Sequence, residues 1–374
     1  MTSTHTLDTL ETQFLSPQDV ATIVHTKGLV ACLHGMADYI QADFLRWHAF
    51  DKSTRLASHS SEGVIELMPI SDGHTYAFKY VNGHPRNSEL GLPTVMAFGM
   101  LANVQTGVPE LISELTLTTA LRTAAMSVVA ARLLARADSA CMALIGNGAQ
   151  SEFQALAFAH LMGIKSVRLF DLDPRATAKL MRNLQPRGLQ VVPCNSIAQA
   201  VAGADIVTTA TADKSHATIL TAQMLEPGMH INGVGGDCPG KTELHPEVLR
   251  RASVFVEYEP QSRIEGDVQQ MPPDFAVTEL WQVLARQHAG RSSDQQITIF
   301  DSVGFALEDF SALRFMRDSA RELGLGTRLP LIPRLDDPKD LFGLITTVSP
   351  HASHSHELFH HASQPNAPAM ALPR

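Results

Sequence analysis

Between residues 136 and 304, short apolar runs alternate with stretches of helical periodicity, the pattern of a parallel sheet covered by helices. The run 141–145 predicts a strand, and Gly146-Asn-Gly-Ala-Gln-Ser151 follows it as a loop. Phe153, Leu156, Ala157 and Leu161 then recur at helical spacing over 149–162. Residues 166–170 predict a second strand ending at Asp171, and Asp173-Pro174 supplies an N-cap and first-turn proline for a helix that stops near Gly188. Further strands are expected at 190–192, 206–209, 229–234, 254–257 and 297–300, with a helix starting near Ser196 between the first two. Together they predict one doubly wound unit.

The first 115 residues carry a different pattern. Strand-like segments at 64–68, 75–80 and 94–101 are broken by Gly, Pro and Asn, which predicts a mostly antiparallel sheet. A helix over 116–135, with Leu121, Ala125, Val128 and Leu133 turned to a core, bridges to the parallel unit. A later helix over 306–323 is expected to return to the first sheet. The predicted fold is therefore α/β: a doubly wound parallel sheet over 136–304, plus a discontinuous α+β domain from 1–135 and 305–348, with a cleft between them. The tail, 349–374, is rich in His, Ser, Ala and Pro and is expected to be disordered.

Composition narrows the class without naming a chemistry. A net charge of −9 argues against a nucleic-acid or anionic-membrane partner, and no apolar run of membrane-spanning length stands out. The four cysteines are widely spaced with no CxxC pair, and the N-terminus lacks a secretion pattern, so a cytoplasmic protein is expected. His356-Glu-Leu-Phe-His360 spells a zinc-protease pattern. It sits in the low-complexity tail without a third ligand, so no metal site is expected.

Three groups of residues can carry chemistry. Gly146 permits a tight strand-to-helix turn, and Gly148 lets the backbone approach a pyrophosphate at a helix N-terminus, as in Rossmann-type domains. Ser151 stands where that fingerprint has its third glycine. Asp171, closing the second strand, is placed to accept ribose hydroxyls and disfavours a 2′-phosphate, although Arg168 and Arg175 lie close in sequence. The second group is Gly235-Gly-Asp237-Cys-Pro-Gly-Lys241, beyond a strand's carboxyl end, where Asp237 can either enter a cleft or cap a helix over 243–251. The third group, Arg55, Glu66, Lys79 and Arg122, is the charge set an amino acid would need. Taken singly, each of these also reads as a solvated surface charge.

Longer stretches carry a resemblance: Arg46-Trp-His-Ala-Phe-Asp-Lys-Ser-Thr-Arg55, Gly63-Val-Ile-Glu-Leu-Met-Pro69, Tyr76-Ala-Phe-Lys-Tyr-Val-Asn-Gly-His-Pro85, Ala120-Leu-Arg-Thr-Ala-Ala125, the loop 143–151, Val234–Lys241 and Asp301-Ser-Val-Gly304. On these the chain resembles the ornithine cyclodeaminase/μ-crystallin family, from about Asp43 to Ile345, with the first forty residues and the tail outside. The resemblance implies a Rossmann domain joined to a substrate-binding and dimerisation domain, a homodimer, and NAD as cofactor. The implied reaction turns L-ornithine into L-proline and ammonia by removing hydride from Cα, closing a ring and returning the hydride. It further implies that Arg55, Lys79 and Arg122 grip the α-carboxylate, that Glu66 is a substrate-side carboxylate, and that Asp237 is the acid/base. Lys241 and Val303 fall on the substrate side. Thr94, Ala149, Gln150, Asp171, Thr211, Ile231, Asn232, Gly233, Val234 and Ser302 fall around NAD. Related readings with the same machinery are an amino-acid dehydrogenase or ketimine reductase and a lysine cyclodeaminase; a nucleotide-binding protein without turnover is a third.

Overall fold

The computed structural model describes residues 10–212 and 216–346. The chain opens with strand β1 (Thr12–Leu15) and two helices, α1 (Pro17–Lys27) and α2 (Leu29–Leu45). Ser16 starts α1 with a reciprocal capping box to Asp19. Strands β2 (Asp51–Lys52), β3 (Leu56–His59), β4 (Val64–Ser71), β5 (Thr75–Gly83), β6 (Ala97–Asn103) and β7 (Pro109–Glu114) follow. Strands β4 to β7 pair antiparallel in sequence order, as their turn residues predicted, whereas β1 joins parallel to β7. The third strand begins at Ala97 rather than 94. Pro93 cannot donate to a ladder, and the backbone N–H of Asn82 and of His84 bond to Met96 and Thr94 as irregular contacts instead.

Helix α3 (Thr116–Leu134) crosses from this sheet to the second one. It is apolar and long enough to cross a membrane by composition, yet it is mostly buried, and it packs against α2 and the helix that follows the glycine loop. Its apolarity therefore reflects a position in the core between the two sheets.

Beyond it come β8 (Cys141–Ile145), α4 (Ser151–Met162), β9 (Ser166–Phe170), α5 (Pro174–Leu184), β10 (Gln190–Pro193), α6 (Ile197–Val201) and β11 (Ile206–Thr209). Asp173 caps α5 through the Arg175 N–H, as its sequence required, and Gly188 ends the following turn at φ 71°. Strands β12 (His216–Leu220), β13 (His230–Gly233), β14 (Thr242–Leu244), β15 (Ser253–Val256), β16 (Thr278–Glu279) and β17 (Thr298–Asp301) complete the parallel unit. The expected helix over 243–251 is shorter: 242–244 pair with β12 in a small two-stranded sheet, and only Pro246–Arg250 is helical.

The larger parallel sheet runs β10-β9-β8-β11-β13-β17-β15-β16. The chain reverses its direction of growth between β8 and β11, which is where such sheets leave a crevice for a ligand. Ala306–Leu323 then forms a long helix that returns to α2 and to the inner face of β4, β5 and β6, and strand β18 (Thr327–Leu329) closes the mixed sheet beside β1. Both sheets lie in one compact unit that ends at Leu331, and the described residues from Ile332 onward belong to a second. Within the second unit the described residues include a short helix, Gly343–Thr346. The expected disordered tail and its His356–His360 pattern lie outside the described residues.

Candidate active site

Strand alternation decides what the mixed sheet offers its interior. In β4, Val64, Glu66, Met68 and Ile70 are buried; in β5, Ala77, Lys79 and Val81 are. Most are core residues, but Glu66 and Lys79 fall on the same buried face by period two. A charge placed there must be paired or it shifts its pKa. The first turn of the Ala306–Leu323 helix supplies the pairing. Lys79 Nζ lies 2.8 Å from the Asp309 carboxylate. Arg122, one-third along α3, donates from Nη1 to Glu308 at 2.6 Å and brings its Nε to 3.1 Å from Asp309. Burial and the neighbouring Arg122 charge lower the Lys79 ammonium to about 8, with Asp309 pulling the other way. Burial raises Glu308 to about 8 despite Arg122. Gly304, at φ 76°, leaves room for this arrangement: a Cβ there would sit 2.8 Å from Arg122 Nη1.

Arg55 joins the two halves of the site. Its Nη1 donates to Glu66 at 2.9 Å, and its Nη2 donates to the carbonyls of Val303 and Gly304, both at 2.7 Å. Its Nε lies 2.9 Å from the carboxylate of Glu265, at the end of helix Glu259–Glu265 in the parallel unit. Four groups therefore fix one guanidinium, two of them carboxylates.

The cleft between the sheets has a volume of about 530 Å³. Arg55, Glu66, Lys79 and Arg122 line it on one side, with Asp237, Lys241 and Val303 in its wall as well. These are all seven of the expected substrate-side residues. Asp237 does not cap a helix. Its side chain is half exposed and accepts from Lys241 Nζ at 3.0 Å, while Lys241 itself is buried. Its loop is tied from below: Glu243 accepts from the Gly235 N–H at 2.9 Å and, through its other oxygen, from the Thr211 N–H at 2.7 Å. One carboxylate thus connects the loops after β11 and β13. A Cβ on Gly235 would collide with it.

Of the expected cofactor positions, Thr94, Gly148, Ala149, Gln150, Thr211, Val234 and Ser302 line the cleft. Gly146, Asp171, Ile231, Asn232 and Gly233 do not. Gly146 has φ 91°, and a Cβ there would lie 2.5 Å from the Ala210 carbonyl oxygen, so only glycine lets the loops after β8 and β11 meet. Ser151, in the third fingerprint position, donates its hydroxyl to the Gly146 carbonyl at 3.0 Å and locks the turn. Asp171 accepts from the Asn147 N–H at 2.5 Å and from the Asp173 N–H at 2.8 Å, holding the glycine loop from behind. Ile231 and Asn232 are interior to β13. A dinucleotide fits what is left: a glycine loop at the start of α4, and the Gln150 Oε1, buried with no hydrogen-bond partner among the described residues, as an acceptor for a hydroxyl.

Sequence reasoning missed the counter-charges: Glu265, Glu308 and Asp309, and the loop-holding Glu243 and Glu257. Glu257 accepts from Ser302 Oγ at 2.7 Å and from the N–H groups of Val303 and Gly304 at 3.3 and 3.2 Å. Glu308 and Asp309 read in sequence as ordinary first-turn acids of a helix. The signal available was Lys79 itself, since a lysine inside an apolar strand requires an acid somewhere.

Residues 17–324 match the family described as ornithine cyclodeaminase/mu-crystallin. The match begins well before Asp43, so α1 and α2, which the motif-based resemblance left out, belong to the shared fold. The chain is 58% identical over 332 residues to an ornithine cyclodeaminase of Agrobacterium fabrum, covering 89% of this chain and 94% of that one. A solved lysine cyclodeaminase, described with L-lysine, L-ornithine and L-2,4-diaminobutyric acid as ligands recognised, is 31% identical with a TM-score of 0.85, covering 89% of this chain and 99% of its own. An archaeal alanine dehydrogenase dimer with bound NAD is 28% identical with a TM-score of 0.79, covering 86% of this chain and all of its own. The geometry of the cleft and these likenesses agree: the chain belongs to the ornithine cyclodeaminase/mu-crystallin family.

Proposed function

We propose that this protein is an NAD-dependent ornithine cyclodeaminase that converts L-ornithine to L-proline and ammonia. The observation that carries the reading is the pairing, within one cleft, of a half-exposed Asp237 with three buried cations, beside a glycine loop suited to a dinucleotide. Identity of 58% to an ornithine cyclodeaminase supports the choice of substrate.

In this reading the parallel unit holds the cofactor, through Gly148, Ala149, Gln150, Thr211, Val234 and Ser302, with Thr94 added from the mixed-sheet half, and the mixed-sheet half holds the substrate. When bound, NAD supplies a reversible acceptor for the hydride of the substrate Cα. Arg55, Lys79 and Arg122 bind the α-carboxylate, and Glu66 meets an ammonium group. Asp237 takes a proton from the α-amine as the Cα–N bond becomes an imine. Its access to solvent and its tether to Lys241 suit a group that must exchange protons. The δ-amine then attacks the imine carbon. Because both groups are held in one folded substrate, ring closure is favoured by several kcal/mol, on the order of measured intramolecular advantages. Asp237 returns its proton to the departing ammonia, and the cyclic imine that is left would take the hydride back at Cα to give proline, so that no reduced cofactor accumulates.

The test is incubation with L-ornithine and catalytic NAD. Equal yields of proline and ammonia with no accumulation of NADH are expected. Accumulating NADH would replace this reading with an amino-acid dehydrogenase, and faster turnover of L-lysine would reassign the chain length.

We also infer a cytoplasmic homodimer. The outer faces of β3, β4 and β6 leave Leu56, Ile65, Leu67 and Phe98 exposed in one region of sheet, an apolar surface of the kind that a second copy covers. None of the four cysteines forms a disulfide, as in a reducing compartment. Light scattering of the wild type should give twice the chain mass, and Phe98→Glu should shift it toward the monomer.

A further inference from the structure

Counting charge around the cleft separates its two ends. At the inner end, Lys79 and Arg122 are met by Asp309 and by Glu308, whose carboxyl burial raises to about 8, so this end carries no surplus of negative charge. At the other end, Arg55 and Lys241 are met by Glu66, Glu265 and Asp237, two cations against three. The odd member is Glu265. It does not line the cleft, and no substrate atom can reach it, because it lies behind Arg55 at 2.9 Å with its side chain only 4% exposed. Glu257 does not offset the imbalance, being itself acidic and engaged by Ser302, Val303 and Gly304.

We propose that Glu265 is a specificity-determining residue that acts through Arg55. It neutralises the guanidinium from behind, leaves the outer end of the cleft one negative charge in surplus, and so makes the site select an amino acid with a cationic side chain over one with an uncharged side chain. The inference rests on the reading of the cleft as an ornithine site and adds the physical origin of the preference. A diamino acid carries one net positive charge at neutral pH and matches the surplus. A monoamino acid carries none and leaves a buried carboxylate uncompensated, which is costly in a low-dielectric wall. The buried oxygens agree. Glu66 Oε1, beside Arg55, has no hydrogen-bond partner among the described residues, while Glu265 Oε2 faces only Arg55 Nε, at 2.9 Å.

The experiment uses the NAD-loaded enzyme and two ligands that lack the Cα–H and so cannot be oxidised, α-methyl-L-ornithine and α-methyl-L-norvaline. Calorimetry gives the ratio of their dissociation constants, and turnover of L-ornithine is followed in parallel. In Glu265→Gln the preference for the cationic ligand is expected to fall by roughly tenfold, mainly through tighter binding of the uncharged one. Glu265→Asp, which keeps the charge, should retain the preference. An unchanged ratio in Glu265→Gln, or equal weakening of both ligands as a merely structural role would give, overturns the inference while ornithine turnover leaves the functional reading standing. Absence of both turnover and preference in the wild type overturns the reading and the inference together. Should Glu265→Gln not fold, the wild type answers through pH. Glu265, flanked by Arg55, Glu66 and Asp237, is raised by burial to about 7, so the preference should decline as pH falls from about 8 to about 6. A preference that is flat over that range also refutes it.

Discussion

The inner wall of the cleft and the loop that carries Asp237 handle charge in opposite ways. Lys79 and Arg122 are buried, and each is fixed by carboxylates from a helix almost 190 or more residues away in sequence. Asp237 is half exposed and has, among the described residues, one ion-pair partner, four residues along its own loop. In the proposed reaction the wall is the binding surface: its desolvation was met during folding, so a carboxylate arriving there would find cations already oriented. The Asp237 loop keeps its carboxylate in contact with water, where the proposed acid/base could take up and release protons. The proposed mechanism thus places binding and proton transfer in different dielectric environments within one cleft.

The sharpest way to break this division is Asp237→Asn. Turnover is expected to fall by about 10²–10⁴-fold, the usual worth of a general acid/base, with the ornithine KM changed by no more than a few-fold. Steady-state kinetics decide it, and a variant with near-normal kcat would remove Asp237 from the chemistry. Lys79→Met attacks the wall instead. It strips a buried carboxylate of a partner, and stability should drop by about 3–5 kcal/mol in denaturant unfolding, alongside a raised KM. Loss of turnover without loss of stability would contradict the buried-pair account.

A pH series sharpens the comparison with a smaller effect. Lys79 is cationic below its depressed value of about 8 and neutral above it, so carboxylate binding should weaken as pH rises through 8, with KM climbing at most about tenfold per unit. Lys79→Arg keeps its charge and should move that limb upward; an unmoved limb would assign it to another group. The least effect is expected from Lys241→Met in stability terms. Its partner is half exposed, and unfolding should register a change of about 1 kcal/mol or less.

The parallel unit was legible because its signals are local. The apolar run 141–145, the glycine loop and the Asp173-Pro174 start each announce themselves within a few residues, and the strand and the α5 cap fall where expected. The N-terminal helices were not read; in α2 the polar stripe is only His34, Asp38 and Gln41, flanked by the exposed apolar Val30, Ala31 and Leu45, so the face packed against α3 and the returning Ala306–Leu323 helix is weakly set off in sequence. The site divided in the same way. Arg55, Glu66, Lys79, Arg122 and Asp237 were visible as residue types, whereas Glu265, Glu308 and Asp309 acquire meaning only once distant segments meet. No spacing rule in one sequence relates Lys79 to Asp309. Only the fold does.

Asp171 has a consequence for redesign. Both of its carboxylate oxygens receive backbone N–H groups, one from the glycine loop and one from the turn that opens the next helix. A residue in this position is usually regarded as the selector between two forms of a dinucleotide, and so as the place to exchange one for the other. Here the selector is also a structural tie between two turns. Replacing it to admit a 2′-phosphate would release the glycine loop proposed to hold the pyrophosphate. Changing cofactor choice in this protein therefore requires at least two coordinated substitutions, one to accept the phosphate and one to restore the tie.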